Sequence, residues 1–282
     1  MPSGLGQVNP FRLFRPLEVD TVSWLPTKSG QRRVSYYFAS LERQLDEIEA
    51  RVSRVQLPSD HMKGSGLDVY LAVGRSALRN ILISCAACGV KNVLSVLDFA
   101  SGAGRVTRWL RAAFPDAELV VSDINKSFVE FCAETFAAVP HISHADIPAV
   151  TLPGTYDLIW SGSLLTHLPE SQAVAALELM YRSLNPNGVM VITTHGRKVM
   201  RNQLLGRARY IDGQQFNDIL MQAVSRGYGY ASHGPGRLGI SLNTLGWVGG
   251  WCGRSPDRRI VHFAEKGWHD HQDVVAIAKS PI

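Results

Sequence analysis

The chain has 282 residues, of which 45% are hydrophobic and 19% are charged, and its formal net charge is +5. This composition is typical of a globular protein and excludes an intrinsically disordered chain. No run approaches the roughly 20 apolar residues that span a bilayer, and no apolar leader stands at the N-terminus. We therefore expect a cytoplasmic protein with no membrane partner. The modest positive charge does not by itself indicate nucleic acid, and we expect no such partner.

The N-terminal part predicts an irregular arm over residues 1–33 and an amphipathic helix over residues 34–55. Apolar residues recur in that helix at spacings of three and four, which gives it one apolar stripe. The stripe consists of Leu41, Leu45, Ile48, Val52 and Val55. Residues 57–66 form a break rich in Gly, Ser and Pro. We treat residues 1–66 as a lid or an interface and leave a homodimer open.

The rest of the chain, residues 67–282, predicts one α/β domain. A helix over 67–88 ends at Gly89, which is a typical helix cap. Strands then alternate with helices, and this pattern predicts a parallel sheet covered on both faces. The predicted strands span 93–99, 117–122, 141–145, 156–161 and 189–194, and the helices between them span 105–114, 126–138 and 171–184. Residues 197–256 interrupt the alternation with a helix over 213–224, and a hairpin of strands 259–265 and 273–279 closes the chain.

The four cysteines do not predict a metal site. Cys85 and Cys88 form a C-A-A-C sequence, but no second such pair and no paired histidines complete a tetrahedral ligand set. The pair ends a predicted helix. We expect structural thiols and no bound metal.

The main functional signal is V-L-D-F-A-S-G-A-G-R at 96–105. Asp98 stands near the end of a predicted strand, Gly102 and Gly104 follow in the turn, and a helix begins directly afterwards. Glycines in such a turn permit positive φ and a close approach of the backbone to a ligand. A dinucleotide site would share this plan, but its third glycine is replaced here by Thr107. An acidic residue in the strand would also repel a pyrophosphate, so a ligand without phosphate is favoured.

Two further carboxylates follow neighbouring strands. Asp123 ends the second predicted strand, where it can accept hydrogen bonds from a ribose diol. Asp146 ends the third strand and could accept from an adenine amino group, although a solvated loop carboxylate is also consistent with its position. Ile124 and Ile147 could hold the adenine ring between them.

In the order and spacing of these motifs, residues 67–279 resemble the class I S-adenosylmethionine (SAM) dependent methyltransferases. L-D-F-A-S-G-A-G-R is similar to their first motif, with Ala100 where another glycine is usual, and S-D-I-N and A-D-I are similar to their second and third. The resemblance implies a Rossmann-like, doubly wound seven-stranded sheet with an antiparallel C-terminal strand, and SAM as the cofactor. The residues expected to contact the cofactor are Asp98, Ala100, Gly102, Gly104, Asp123, Ile124, Asp146, Ile147 and Ser161.

Histidines follow the strands whose ends should face the acceptor. His167 follows the fourth strand and His195 ends the fifth, so we predict that one of them is the catalytic base. Either ring could instead cap a loop. His269 and His271 lie in the terminal hairpin. Aromatic residues of the C-terminal third would line the acceptor pocket or pack in the core; they are Tyr228, Tyr230, Trp247, Trp251 and Trp268.

We therefore predict transfer of the SAM methyl group to a small-molecule acceptor, at an oxygen of a sugar, glycan or natural product. This choice rests on the absence of motifs typical of nucleic-acid and protein arginine methyltransferases, and on the W-S-G-S-L-L-T-H-L loop at 160–168. Two alternatives stay open at this point. One is a nucleic-acid methyltransferase, and the other is a SAM-binding partner subunit without catalysis. A dinucleotide oxidoreductase is disfavoured by Thr107.

Overall fold

The computed structural model describes residues 28–90, 92–234 and 239–280. The chain divides into two compact units, residues 1–44 and residues 45–282. The predicted arm over 1–33 falls mostly outside the described residues. The boundary at residue 66 stays a prediction.

Helix α1 spans Lys28–Glu49, so it begins and ends about six residues earlier than predicted. Residues 28–33 lack the apolar period on which the prediction depended, and for this reason the start was missed. Within the second unit Leu45, Ile48 and Val52 are buried, whereas Val55 is 57% exposed. The predicted stripe is therefore buried only as far as Val52.

Helix α2 spans Leu67–Cys88 and ends at Gly89 in the left-handed conformation, as predicted. By length and composition it is apolar enough to cross a membrane, which the sequence analysis had excluded for every segment. Nine of its residues are buried in the protein core, among them Leu78 and Ile81. This burial is typical of a core helix in a folded domain.

A seven-stranded sheet forms the centre of the second unit, in the order β3-β2-β1-β4-β5-β9-β8. Its strands are β1 (Ser95–Phe99), β2 (Glu118–Asp123), β3 (Val139–Ile142), β4 (Tyr156–Ser161), β5 (Leu184–Thr194), β8 (Arg258–Trp268) and β9 (Gln272–Lys279). Strands β1 to β5 pair in parallel, and β9 is antiparallel to both β5 and β8. The predicted Rossmann-like sheet with an antiparallel C-terminal strand is thus confirmed. The strand order reverses between β1 and β4, where such sheets bind ligands.

Helices cover both faces of this sheet. Helices α2, α3 (Thr107–Ala113) and α4 (Lys126–Phe136) pack on one face. Helices α5 (Glu170–Arg182) and α8 (Leu245–Cys252) pack on the other. Because both faces are buried, β1 and β2 read as continuous apolar runs rather than as alternating patterns.

Two strands differ from their predicted bounds. Strand β3 lies at Val139–Ile142 rather than 141–145. Strand β5 begins at Leu184 and includes the N-P-N-G sequence that was interpreted as a turn. The register between β4 and β5 shifts at this point, and Asn187 has a φ of 64°. The turn residues are therefore accommodated as an irregularity within the strand.

The insertion after β5 has its own small core. It contains α6 (Arg197–Leu204), α7 (Gly213–Arg226), β6 (Tyr228–Ala231) and β7 (Ile240–Asn243). Strands β6 and β7 form an antiparallel pair. Only α7 was predicted, because β6 and β7 are four residues each and too short to show a period. Phe216 and Ile219 of α7 pack against Leu242 of β7.

Candidate active site

The loop between β1 and α3 is shaped by three residues in the left-handed conformation. Ala100, Gly102 and Gly104 have φ values of 63°, 54° and 78°. The amides of Ala100 and Ser101 donate to the carbonyl oxygen of Ser122 over 2.8 and 3.1 Å. Ala100 therefore takes the conformation that usually selects glycine. The two hydrogen bonds to Ser122 hold the loop against the end of β2.

The two glycines of this loop have different surroundings. A Cβ atom on Gly102 would meet nothing within 4 Å, and Gly102 lines the cavity described below. A Cβ atom on Gly104 would lie 2.4 Å from the Phe136 ring and 2.9 Å from Cys132 Sγ. Gly104 is absent from the cavity lining among the described residues. Gly102 thus leaves room for a ligand, whereas Gly104 permits close packing on α4.

Asp98 lies beneath this loop with only 1% of its surface exposed. Its Oδ2 accepts a hydrogen bond from Thr107 Oγ1 at 2.6 Å. Burial raises the pKa of Asp98 to about 7, the bond from Thr107 opposes that rise, and the nearby Asp123 carboxylate adds to it. Near neutral pH this carboxyl group is therefore divided between its protonated and charged forms.

Asp123 ends β2 and faces the same loop. Its Oδ2 accepts from the amide of Gly102 at 2.9 Å, and its Oδ1 accepts from the amide of Asn125 at 2.9 Å. A carboxylate oxygen can accept two hydrogen bonds. Each oxygen therefore retains a site for a ligand hydroxyl, which suits the diol of a ribose.

A cavity of about 540 Å³ opens at the carboxyl ends of β1, β2 and β4. This volume lies within the usual range for small-molecule sites. Of the residues predicted to contact the cofactor or act as base, those in its lining are Asp98, Ala100, Gly102, Asp123, Ile124, Ile147 and His167. The sequence motifs are thus brought together at the predicted edge of the sheet.

Four predicted site residues lie outside that lining: Gly104, Asp146, Ser161 and His195. The carboxylate of Asp146 accepts from Gln172 Nε2 at 2.7 Å. Ser161 is fully buried, and its Oγ has no hydrogen-bond partner among the described residues. The roles assigned to these four residues stay predictions. In the structure Gly104 packs against α4, and Asp146 is hydrogen-bonded to Gln172.

Sequence reasoning missed several residues that line the cavity. Six of them are Asp60, Met62, Tyr70, Arg105, Phe128 and Trp160. Asp60 is buried and accepts from Tyr70 Oη at 2.8 Å and from the Met62 amide at 2.8 Å. The Ser-Asp pair before residues 61–65 is a capping signal. No local pattern, however, shows that this cap lies beside a loop 40 residues later.

Arg105 supplies a cation to the cavity. Its guanidinium lies 5.3 Å from the centre of the Trp268 ring, and burial lowers its pKa. Trp268 packs edge-on against Trp160 at 5.3 Å and donates its Nε1–H to the carbonyl of Val73. Within the described ranges Arg105 has no carboxylate partner at ion-pair distance. The charge of Asp60 in the same lining acts on Arg105 without pairing with it, so the guanidinium keeps donors for an anionic group on the ligand.

The two predicted catalytic histidines differ in environment. His167 lines the cavity and donates its Nδ1–H to the carbonyl oxygen of Gly239 at 2.8 Å. His195 is 5% exposed and donates its Nδ1–H to the carbonyl oxygen of Ser241 at 3.2 Å. Burial, together with the neighbouring His271 and His167, lowers the pKa of His195 to about 3. His195 is therefore uncharged at neutral pH and a poor proton acceptor.

Most of the aromatic residues proposed for the acceptor pocket belong to the core. Tyr228 and Trp251 are buried, and Trp247 packs on Tyr228 with ring centres 4.6 Å apart. Of the five, only Trp268 lines the cavity among the described residues.

Cys85 is also buried, which raises the pKa of its thiol to about 12. No group of three or more His, Cys, Asp or Glu side chains in the described part of the chain is arranged to hold a metal ion.

These contacts fit SAM. Asp123 can accept from the ribose hydroxyls, and Ile124 and Ile147 offer apolar surface to an adenine ring. Arg105 can pair with the carboxylate of the methionine part, and Gly102 leaves its backbone open to approach. Asp98 and Asp123 flank the loop, where their carboxylates disfavour a pyrophosphate.

Comparison with known proteins agrees with this fold. Residues 96–188 match the family described as methyltransferase domain. A malonyl-[acyl-carrier protein] O-methyltransferase from Acetivibrio thermocellus is 25% identical over 130 residues, which are 46% of this chain and 45% of that protein. The chain thus matches a little under half the length of this curated relative.

Solved structures share the fold at low sequence identity. A SAM-dependent methyltransferase from Clostridium acetobutylicum superposes with a TM-score of 0.52 and 12% identity, over 88% of this chain and 100% of the other. The sugar N-methyltransferase KedS8 from Streptoalloteichus gives 0.54 and 13%, over 81% and 95%. Residues 96–188 thus match a methyltransferase domain, and the fold is the one that these SAM-dependent and sugar methyltransferases share.

Proposed function

We propose that this protein transfers the methyl group of SAM to a hydroxyl oxygen of a small molecule, with His167 as the general base. One observation carries the proposal. His167 lines the cavity, and its Nδ1–H is bound to the carbonyl of Gly239. Its Nε2 is therefore the nitrogen with a free lone pair, as a base requires.

SAM, when bound, supplies an electrophilic methyl group on a sulfonium sulfur. The chain's own residues bind and orient it, with Asp123 on the ribose and Arg105 on the carboxylate. As a hydroxyl oxygen forms its bond to the methyl carbon, the carbon–sulfur bond breaks and its electron pair stays on sulfur. The hydroxyl proton passes to His167 Nε2. Alignment of the reactants in the cavity provides most of the remaining acceleration.

His195 is a positioning residue rather than the base in this proposal. Because its pKa is lowered to about 3, the neutral His195 ring does not take up a second proton at neutral pH. It also lies outside the cavity lining, behind His167, with the two ring centres 6.4 Å apart. The curated relative's printed name, an O-methyltransferase, supports an oxygen acceptor. The sugar N-methyltransferase supports only the fold, because the identity is 13%.

The cofactor half of the proposal is tested by isothermal titration with S-adenosylhomocysteine (SAH) and with NADH. We expect micromolar binding of SAH, no binding of NADH, and a loss of SAH affinity of at least tenfold in Asp123→Ala. Asp116→Ala is the matched control, because this exposed carboxylate lies outside the cavity lining. A preference for NADH would overturn the proposal.

The catalytic half is tested by SAH release over a panel of small hydroxyl compounds. In His167→Gln we expect kcat to fall by about 10²-fold or more, with SAH affinity unchanged. His233→Gln changes an exposed histidine and serves as the control. A His167→Gln enzyme that retains most of its activity would exclude His167 as the base. Salt-sensitive methylation of RNA or DNA, with no small-molecule turnover, would favour the nucleic-acid alternative.

A further inference from the structure

One extended segment of the insertion, which leads into β7, binds both histidines. His167 donates to the carbonyl of Gly239 and His195 to the carbonyl of Ser241, two residues further along the same extended segment. Carbonyls two residues apart in a strand point to the same side. The two rings are therefore held next to each other, with 6.4 Å between their centres.

These two bonds fix the same tautomer in both rings. Each ring carries its proton on Nδ1, so each Nε2 has a lone pair and can only accept a hydrogen bond. Neither Nε2 atom has a partner among residues 45–90, 92–234 and 239–280. His195 is uncharged, for the reasons given above. His167 at the cavity and the buried His195 beside it thus offer two lone pairs to hydrogen-bond donors.

Tyr210 and His271 lie against the His195 ring. The Tyr210 ring lies 5.9 Å from His195 and stacks on His271 at 5.8 Å, and the His271 ring lies 5.8 Å from His195. Burial lowers the pKa of His271, and the nearby Lys198 adds to that effect. Lys198 is paired with Asp270 at 3.0 Å. The four rings, His167, His195, Tyr210 and His271, are named the histidine cluster.

We propose that the histidine cluster is the acceptor subsite and that it selects an uncharged acceptor with at least two hydroxyl groups, one of which is methylated. This inference rests on the proposed function. One hydroxyl gives its proton to His167 Nε2 as its oxygen takes the methyl group. A second hydroxyl donates to His195 Nε2 and keeps its proton, which sets the orientation of the acceptor.

Charged acceptors fit the cluster poorly. A carboxylate or phosphate would face two lone pairs and gain no donor from either nitrogen. An ammonium group could donate, but no member of the cluster is a carboxylate that would compensate for its lost hydration. A hydroxyl group donates without this cost. Tyr210 and His271 belong to the insertion and to the terminal hairpin, so both segments take part in the choice of substrate.

The substrate class is tested with matched acceptors that differ only in charge. Neutral methyl glycosides of several hexoses are compared with the corresponding uronates, hexose phosphates and amino sugars, and SAH release is measured at pH 7.5. We expect at least one neutral glycoside to react at least tenfold faster than its charged counterparts. Faster turnover of a charged member overturns the inference, as does a lack of turnover of all neutral members by a protein that binds SAH. Failure to bind SAH would instead overturn the proposed function.

The positioning role of His195 has its own readout. His195→Asn should raise the KM of the reactive glycoside at least tenfold and leave the pH profile of kcat unchanged, because His167 remains the base. A fall in kcat with unchanged KM would contradict this role.

Nitrogen-15 NMR of histidine-labelled protein with SAH and EDTA tests the tautomers without any acceptor. We expect both rings to carry the proton on Nδ1 at pH 7, with signals assigned from the spectra of His167→Gln and His195→Asn. A proton on Nε2 of either ring, or a charged His195, would overturn the inference.

Discussion

Thr107 donates its hydroxyl to the buried Oδ2 of Asp98 over 2.6 Å, and so ties the first turn of α3 to the end of β1. Thr107 occupies the position of the third glycine in a dinucleotide fingerprint. A glycine at this position would allow the helix to pack closely on the strand, whereas the Thr107 side chain occupies that space. This bond stabilises the charged form of Asp98, but the effect of burial is larger.

The pH dependence of stability should report on Asp98. Its pKa is raised to about 7 in the folded protein, whereas an unfolded Asp titrates near 3.9. The folded state therefore holds the proton more tightly, and this residue lowers the free energy of unfolding as pH rises from about 4 to about 7. The slope is at most about 1.4 kcal/mol per pH unit.

Asp98→Asn removes this contribution and keeps an oxygen for Thr107. We expect the variant to gain stability relative to the wild type as pH rises from 5 to 8, measured by urea unfolding. Asp146→Asn, at an exposed carboxylate, is the control. If the difference between Asp98→Asn and wild type does not change with pH, the carboxyl group titrates normally in the folded state.

The two glycines of the β1–α3 loop should separate stability from binding. Gly104→Ala should destabilise the fold by about 2–4 kcal/mol, because the new methyl group overlaps the buried Phe136 ring and the backbone φ is 78°. Gly102→Ala should cost only about 1–2 kcal/mol for its positive φ, but it should weaken SAH binding because its methyl group enters the cavity. Urea unfolding and titration calorimetry on both variants measure the split. Equal effects of the two substitutions on both quantities would contradict it.

Arg105 should recognise the amino-acid part of the cofactor. Arg105→Met keeps the apolar stem but removes the charge, so we expect SAH affinity to fall by about tenfold or more. Methylthioadenosine lacks the carboxylate and should bind the variant and the wild type equally well. Titration calorimetry with both ligands distinguishes a lost ion pair from a damaged cavity. A similar loss for both ligands would show that Arg105 acts on packing around Trp268 instead.

Those candidate site residues whose position follows from a single strand end could be predicted from the sequence. Asp98 and Asp123 stand at the ends of buried strands and Gly102 in the turn after the first of them, and the carboxyl ends of parallel strands share one edge. Their convergence could therefore be expected from local patterns alone. The same reasoning predicted the sheet, because alternation of strands and helices determines its parallel core.

Residues that reach the site from distant segments could not be found in this way. Asp60 and Tyr70 lie about 40 and 30 residues before the loop that they face. The carbonyls that orient His167 and His195 belong to Gly239, directly before β7, and to Ser241 within it, and this strand is too short to show a period. Such contacts depend on tertiary packing, and neither propensity nor spacing encodes them.

The acid side of the stability profile should report on His195. Its pKa is about 3 in the folded protein, lowered by burial and by His271 and His167, while the carbonyl of Ser241 acts in the opposite direction. An unfolded His titrates near 6.5. The unfolded state therefore takes up a proton first, and stability falls by up to about 1.4 kcal/mol per unit as pH drops from about 6.5 towards 3.

Between about pH 4 and 6.5 this slope has the opposite sign to that of Asp98, so the two contributions largely cancel in the wild type. In Asp98→Asn the free energy of unfolding should therefore fall as the pH drops from 6.5 to 4.5. In His195→Asn it should rise over the same range. Urea unfolding of both variants and of the double variant at pH 4.5, 5.5 and 6.5 measures these slopes. If His195→Asn has the same slope as the wild type, the His195 ring is charged in the folded protein, and its role as a neutral acceptor of hydrogen bonds is lost with it.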